Sequence, residues 1–272
     1  MKLIKKFVLI LIILSLLYFN PQFLKDTFSF DQYNWVQSSS GLPSLSHTSI
    51  AINPLDTNIV YVGTSIGLWK TTDGGESFKY IPLGLKEEFI KCVAPDLNSK
   101  DTVYVGTYGY GVFVSQNGGN TWFDISSGLV SKDIETIAIS PLDPNTIIVG
   151  TYGSGVFKTI NSGKKWIPKN SGLTESRIRE IVYDKNNPNV VFLVSYGGVG
   201  IFMSVDGGET WKEITSSITG IDRDIAAFET DPIEDNILYF SSIGTGNLFR
   251  SDDYGENWVK LNVKLTDTSI NE

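Results

Sequence analysis

Short apolar segments separated by turn residues run along most of the chain. Between residues 136 and 168 they occupy 136–139, 146–149, 155–159 and 166–168, and they are rich in Ile, Val, Thr, Phe and Trp. These residue types favour strands, whereas the Pro, Asp, Gly and Ser between them favour turns. No sustained helical period follows residue 24. The pattern therefore predicts an all-β chain with four short strands in each unit of roughly 45 residues.

An eight-residue motif recurs in phase with these segments. It reads Ser/Thr-x-Asp/Asn-x-Gly-x-x-Trp/Phe and occupies 71–78, 115–122, 159–166, 204–211 and 251–258. Successive copies of its Asp/Asn position are 44, 44, 45 and 47 residues apart, and a fixed period of this size is typical of propellers and solenoids. We place the motif at the hairpin between third and fourth strands, where Gly supplies a positive φ and the Asp or Asn bonds backbone N–H groups. The structural residues are Asp73, Gly75, Asn117, Gly119, Asn161, Gly163, Asp206, Gly208, Asp253 and Gly255.

At these motifs the chain resembles a known family. Residues 204–211 and 115–122 read Ser-Val-Asp-Gly-Gly-Glu-Thr-Trp and Ser-Gln-Asn-Gly-Gly-Asn-Thr-Trp, and they look like Asp-box repeats, also called BNR repeats. Such repeats occur in sialidases, sortilin-type receptors, xyloglucan-cleaving glycosidases and photosystem II assembly factors. The resemblance covers residues 31–264 and implies a β-propeller, but the motif is a structural hairpin in all of these families and implies no particular activity. Asn117 and Asn161 depart from Asp, although an amide still accepts the turn hydrogen bond.

Together these patterns predict four parts of the chain. Residues 1–24 are an apolar helix that is a signal peptide or a membrane anchor, 25–34 a short linker, 35–264 a β-propeller of about five four-stranded antiparallel blades, and 265–272 a tail. Residues 35–42 match 122–129 and 166–173, so one fourth-strand copy precedes the first full repeat. We favour a five-bladed ring with this spare strand near its closure. An open arc that needs a partner chain is the alternative.

The N-terminus carries an export pattern. Lys2, Lys5 and Lys6 precede an uncharged, apolar run of 13 residues at 7–19, which is the order of a secretory signal. The run is shorter than the ~20 residues of a membrane span, and neither an Ala-x-Ala site nor a Cys follows it directly. Cleavage and retention as an anchor therefore both stay open. Either places the rest of the chain outside the cytoplasm: extracellular, periplasmic or tethered to the outer side of the cytoplasmic membrane.

Composition excludes several functions. The net charge of −8 is unsuited to a nucleic-acid binder, which needs a basic surface. A single His and a single Cys exclude a His/Cys zinc site and a disulfide within the chain. The motifs lack the ligand set of a calcium loop, and the Gly-x-Gly segments lie between strands with no helix to hold a pyrophosphate. We therefore expect neither a metal nor a cofactor, and membrane contact only through the N-terminal segment.

Two sets of loops are predicted to share one face. One set joins second to third strands and the other joins blade to blade, and loops on a rigid scaffold commonly bind ligands. Tyrosines offer flat amphipathic surfaces, and arginines clamp carboxylates or phosphates. The candidate ligand-face residues are Tyr108, Tyr110, Tyr152, Tyr196, Glu135, Arg177, Arg179, Arg223 and Asp224. The alternative is that the tyrosines pack between blades and the charges pair with one another.

No catalytic set stands out. His47 and Cys92 are interpreted as packed or solvated residues, not as catalytic groups. The favoured hypothesis is an exported, non-enzymatic module that binds a protein partner through the loop face, similar to the assembly-factor branch of the family. The alternatives are a glycosidase, which needs two carboxylates across a cleft, and a carbohydrate-binding protein that uses the tyrosines. The oligomeric state is not predicted.

Overall fold

A computed structural model describes residues 40–43, 46–184, 187–218, 223–243 and 245–261. Twenty strands and no α-helix lie in these ranges. Within them, no helix is long and apolar enough to cross a membrane. The predicted signal or anchor segment, the linker, the start of the spare strand at Trp35 and the tail all lie outside the described residues.

The strands form five four-stranded antiparallel sheets, each in sequence order. The first sheet holds His47–Ile52 (β1), Val60–Thr64 (β2), Gly67–Thr71 (β3) and Lys79–Ile81 (β4); the second Ile90–Pro95 (β5), Val103–Thr107 (β6), Gly111–Ser115 (β7) and Phe123–Asp124 (β8); the third Ile134–Ile139 (β9), Ile147–Thr151 (β10), Val156–Thr159 (β11) and Ile167–Pro168 (β12); the fourth Ile178–Tyr183 (β13), Val191–Ser195 (β14), Ile201–Ser204 (β15) and Lys212–Glu213 (β16); the fifth Ile225–Thr230 (β17), Leu238–Ser242 (β18), Leu248–Ser251 (β19) and Val259–Leu261 (β20). The prediction of four strands per repeat is confirmed, and each sheet is of the kind that forms a propeller blade.

The chain forms two compact units. Among the described residues, the larger unit holds the first four sheets, and the smaller unit holds 197–200 and the chain from Ile214 onward, which includes the fifth sheet. In the larger unit the sheets stack face to face in sequence order. Tyr61 and Leu68 of the first sheet pack with Val105 and Phe113 of the second. Every residue of β6, β10 and β14 is buried, because these middle strands are covered on both faces, and they consequently read as continuous apolar runs.

The boundaries differ slightly from the prediction in the third sheet. β9 begins at Ile134, two residues before the predicted start, and β10 runs on through Gly150 to Thr151. The register of this pair shifts between Gly150 and Thr151, where Thr151 pairs with Ile134 and Gly150 with Thr136. A β-bulge lets the strand continue past this irregularity, and an alternation pattern cannot reveal it because the extra residue breaks the period of two.

The eight-residue motif forms the hairpin between third and fourth strands, as predicted. In the second sheet, Ser115 Oγ accepts the N–H groups of Asn117 and Gly119 at 3.3 and 2.8 Å, and Asn117 Oδ1 accepts the N–H of Thr121 at 2.9 Å. Gly119 has a φ of 97°. The preceding residue also has a positive φ, even where it is Ser162 (55°) or Tyr254 (57°). This second left-handed position was not predicted from the motif, and the side-chain hydrogen bonds hold it despite the cost to a non-glycine residue.

The aromatic residue that ends the motif reaches back to an earlier part of the chain. Trp166 is 2% exposed, and its indole N–H donates to the carbonyl of Ile125, just after β8, at 2.7 Å. Trp211 donates in the same way to Lys169 at 2.9 Å. A buried indole usually finds a partner for its N–H. These tryptophans therefore tie each repeat to the one before it.

Candidate functional site

In the larger unit, the loops between second and third strands carry the candidate tyrosines. The backbone N–H of Tyr152 donates to the carbonyl of Asp133, directly before β9, at 3.0 Å. The backbone N–H of Tyr196 donates to the carbonyl of Arg177, directly before β13, also at 3.0 Å. The end of a second strand and the start of a first strand lie at the same edge of an antiparallel sheet. The two loop sets therefore meet at the same end of the strands. We call this surface, formed by the loops that hold Tyr108, Tyr152 and Tyr196 and by the residues before each first strand, the loop face. The motif hairpins lie at the opposite end of the strands.

A β-bulge at the start of each first strand presents one side chain to the loop face. The register shifts between Ile90 and Cys92 in β5 and between Ile178 and Glu180 in β13. The residue at each bulge is therefore left out of the ladder, and bulges of this kind re-aim a side chain. In three neighbouring sheets these residues are Lys91, Glu135 and Arg179, with alternating charges.

Glu135 is the centre of a hydrogen-bonded cluster. Its side chain is 7% exposed; Oε1 lies 2.9 Å from Lys91 Nζ, and Oε2 accepts the hydroxyl proton of Tyr196 at 2.8 Å. Burial, together with the Glu135 charge, raises the pKa of Tyr196, so that phenol stays protonated and donates. Because its charge is balanced by an ammonium group and a phenol, the buried carboxylate is compensated in the way such groups require.

The outer part of the cluster is aromatic and cationic. Tyr152 packs edge-on against Tyr196 with ring centroids 5.7 Å apart, and the Arg179 guanidinium lies 6.0 Å from the centre of the Tyr196 ring. Arg177 binds Glu175 through two nitrogens at 2.8 and 3.1 Å. This pairing lowers the pKa of Glu175 to about 2. Charge-assisted contacts of this kind fix the orientation of the loop.

Three of the candidate tyrosines keep a large exposed surface. Tyr108 is 54% exposed, Tyr152 49% and Tyr110 36%. Tyr108 is held from one side by the ring of Phe89 at 5.8 Å, so part of its ring is ordered by packing while the rest faces solvent. The predicted alternative, in which the tyrosines pack and the charges pair, describes the contacts of Glu135 and Tyr196, whereas Tyr108, Tyr110 and Tyr152 also keep a large exposed surface.

Arg223 and Asp224 belong to the smaller unit. The Arg223 guanidinium donates to the carbonyl of Val199, and the Asp224 carbonyl accepts the N–H of Ile243 at 2.7 Å. The contact between Asp224 and Ile243 repeats the link between tyrosine loop and first strand seen in the larger unit. The other seven candidate residues are all in the larger unit.

Lys91, Phe89 and Glu175 contribute to the loop face but were not predicted from the sequence. Lys91 could have been found, because it occupies the same repeat position as Glu135 and Arg179. Phe89 carries no such signal, since its role depends on the Tyr108 ring of another loop. Glu175 could have been found from the Glu-x-Arg spacing to Arg177 in its own loop.

Two kinds of catalytic group, metal ligands and a nucleophilic thiol, can be assessed in the part of the chain that the structure describes. No group of three or more His, Cys, Asp or Glu residues there could hold a metal ion. Burial raises the pKa of the Cys92 thiol to about 12, so a thiolate nucleophile does not form near neutral pH. Glu175, with its low pKa, is ionised and cannot act as a general acid.

No protein-family model matches the chain, and no curated protein does. Solved structures share its fold. An ancestral GH74 enzyme is similar over 84% of this chain with a TM-score of 0.66 and 21% identity. A GH74 xyloglucanase from Xanthomonas campestris covers 84% with a TM-score of 0.58 and 16% identity. YCF48 bound to a D1 peptide covers 84% of this chain and 69% of its own, with a TM-score of 0.57 and 17% identity. The chain spans only 32% of the ancestral enzyme and 47% of the xyloglucanase. The likeness shows the fold, that of a β-propeller.

Proposed function

We propose that this chain is an exported, non-enzymatic propeller of the Asp-box type, which binds a protein partner through its loop face. The observation that carries the proposal is the set of exposed rings of Tyr108, Tyr110 and Tyr152 on ordered loops. Tyrosine contributes a large contact area at low cost in conformational entropy, and exposed aromatics are enriched where proteins bind one another.

The surroundings of these rings favour a peptide as the bound group. The Glu135 charge is balanced by Lys91 and Tyr196, which leaves the ring faces and the exposed edge of Arg177, 41% exposed, to meet a partner. Tyr and Arg are the residues that most often dominate binding energy at protein interfaces. The YCF48 structure, which holds a D1 peptide, supports the proposal because a propeller of the same fold binds a peptide there.

Glycoside hydrolysis is the second candidate, since two of the solved structures that share the fold are GH74 enzymes. A glycosidase needs one carboxyl group with a raised pKa as acid and a second carboxylate as base or nucleophile. Glu135 is bound by Lys91 and Tyr196, and Glu175 has its pKa lowered to about 2. Both carboxylates already have cationic partners, Lys91 and Arg177, and for this reason we favour binding over hydrolysis. Sugar binding on the tyrosine rings without hydrolysis is the third candidate.

The proposal includes the export of the propeller. Residues 1–24 would direct it out of the cytoplasm, 25–34 would act as a linker, 35–264 as the propeller and 265–272 as a tail. If residues 1–24 stay as an anchor, the linker of ten residues keeps the propeller within about 35 Å of the membrane, because an extended residue spans at most about 3.6 Å.

The test uses a peptide library displayed on phage and a set of xyloglucan oligosaccharides, both offered to the exported chain. Selected peptides are then titrated against Tyr152→Ala and Tyr108→Ala. We expect each change to weaken peptide binding by about tenfold or more, as is usual for a central aromatic at an interface. Ile160→Ala and Val205→Ala are the matched controls, because these apolar side chains are 70% and 66% exposed but lie at the opposite edge of the sheets.

Two results would overturn the proposal. Release of sugars from xyloglucan by the wild-type chain would replace binding by hydrolysis. Equal affinity of the selected peptides for the wild type and both tyrosine variants would place the binding site elsewhere.

A further inference from the structure

The tryptophans that end the motifs pack at the end of the fourth strand of the preceding repeat, and we call this packing site the seat of the aromatic. Trp258 donates its indole N–H to the carbonyl of Ile214 at 2.9 Å, as Trp166 does to Ile125. Trp122 packs with Ile81 in one apolar cluster. The aromatic residue that ends a motif also begins the fourth-strand segment, and we call it the opening aromatic. Each seat is formed by the residue three positions after the opening aromatic of the preceding repeat: Ile81, Ile125, Lys169 and Ile214.

The fifth sheet ends in a further seat. Leu261 follows Trp258 by three positions, as Ile125 follows Trp122. A cleft of about 340 Å³ lies beside it, at the small end of the range for binding pockets. Its lining consists of Arg250, Asp252, Asp253, Asn257, Val259 and Leu261. Val259 is 65% exposed, as are its equivalents Phe123 (58%) and Ile167 (44%) in repeats whose seats are filled, so the further seat is indicated by Leu261 and the cleft and not by Val259.

Ser40 contacts the first repeat in the same way as equivalent residues contact later repeats. The N–H of Phe78 donates to the carbonyl of Ser40 at 2.8 Å, as that of Trp211 donates to Ser171 at 2.9 Å. Trp35 precedes Ser40 by five positions, and Trp166 precedes Ser171 by the same number. Trp35 is therefore an opening aromatic by both its sequence and the contact that follows it. The openers Trp122, Trp166, Trp211 and Trp258 have described seats, and Phe78 lies beside the segment that follows Trp35.

We propose that the cleft on the fifth sheet is the seat of Trp35. Its indole ring packs on Leu261, and its N–H donates to the carbonyl of Leu261. Among the described residues the seat at Leu261 is the one without an opener. Phe78 lies against Ser40, which leaves Trp35 as the opening aromatic with the repeat spacing for that seat. Burial of an aromatic ring removes roughly 150–250 Å² from water, which is enough to hold the segment after the linker against the fifth sheet.

A difference at Arg250 agrees with this occupant. Lys70 and Lys158, at the same repeat position, donate to the carbonyls of Gly118 and Gly207 in the next motif hairpin, each at 2.8 Å. Arg250 binds Asp252 of its own sheet at 2.7 Å instead. Residues 28–34 have no motif before Trp35. An occupant that brings the ring without the hairpin leaves Arg250 to pair within its own sheet.

Hydrogen exchange followed by mass spectrometry on the full chain tests the proposal. Trp35→Ala should raise the exchange of the Val259–Leu261 amides by about tenfold or more, without changing that of β8. Trp35→Phe, which keeps an aromatic ring but loses the N–H donor and part of the ring area, should fall between the wild type and Trp35→Ala. Leu261→Glu should block the seat and give the same exchange as Trp35→Ala, and the double variant should add nothing. Phe123→Ala is the control, since this aromatic is 58% exposed on β8.

Unchanged exchange of the Val259–Leu261 amides in Trp35→Ala would overturn the proposal. Additive effects of Trp35→Ala and Leu261→Glu would do so as well, because they would show that the two residues act separately. Exchange of these amides that slows as the protein concentration rises would instead assign the cleft to a second copy of the chain. Peptide binding at the loop face does not enter any of these outcomes, so the two proposals fail independently.

Discussion

The indole hydrogen bonds offer a comparison within one chain. Trp166 donates to the Ile125 carbonyl at 2.7 Å, whereas the indole N–H of Trp122, at the same repeat position, is buried without a partner among the described residues. Replacement of each by Phe removes the same atoms at equivalent repeat positions, with Trp166 buried and Trp122 partly buried. The two variants therefore differ mainly in the hydrogen bond that is lost.

The expected difference follows from that bond. A hydrogen bond contributes about 1 kcal/mol net, and a buried carbonyl left without a donor costs about 1–3 kcal/mol. Trp122→Phe loses no bond and removes a buried donor without a partner, so part of its packing loss is offset. We expect Trp166→Phe to lower the free energy of unfolding by about 1–3 kcal/mol more than Trp122→Phe does, which is about tenfold in the equilibrium constant for each 1.4 kcal/mol.

Urea unfolding followed by far-ultraviolet circular dichroism measures both free energies. Circular dichroism is preferred because the substitutions themselves alter tryptophan fluorescence. The slope with urea should stay the same in all three proteins, since a change of slope would indicate a change in the unfolded state or loss of two-state behaviour. Equal destabilisation by the two variants, or a larger effect of Trp122→Phe, would show that the indole bond does not hold the repeats together.

Two further predictions concern loop glycines and a loop carboxylate. Gly172→Ala, at a φ of +88° with its new Cβ against the Trp211 carbonyl, should destabilise the chain by more than Gly153→Ala, whose φ is +104° but whose Cβ would meet nothing within 4 Å; thermal unfolding should place the latter at about 1–2 kcal/mol, the backbone cost alone. Glu175→Gln should lower stability by about 0.2–1 kcal/mol at neutral pH. Because pairing with Arg177 lowers the pKa of Glu175 from 4.5 to about 2, the stabilisation is complete above pH 4.5 and disappears as the pH falls to 2. Urea midpoints for both proteins across that range should converge at the acid end; a constant gap would contradict the assignment.

Much of the fold could be predicted because the same pattern of strands and hairpin occurs five times in the sequence. The spacing of the motifs predicted the sheets, and Gly75 and its equivalents marked the hairpins by a conformation that other residues rarely adopt. The exact strand ends could not be predicted, since the bulge at Ile134–Thr136 breaks the alternation on which the prediction depends.

The candidate site was predicted only in part. Tyr108 and Tyr152 could be placed on one face because their loops follow equivalent strands. Their environments could not be read, because Tyr196 donates to Glu135 across 61 positions of sequence and Lys91 reaches Glu135 across 44. A local sequence pattern does not predict contacts between residues so far apart in the chain.

The sequence by itself determined the repeat, its strands and the hairpin turns, because these depend on local propensity and on the positive φ that Gly allows. Only the tertiary structure decided which charges are paired and which aromatic rings stay exposed. Glu135 and Tyr152 look equally available in the sequence, yet the first is buried between Lys91 and Tyr196 and the second keeps about half of its surface. The physical reason is that burial and charge pairing depend on neighbours from adjacent sheets, which come together only when the sheets stack.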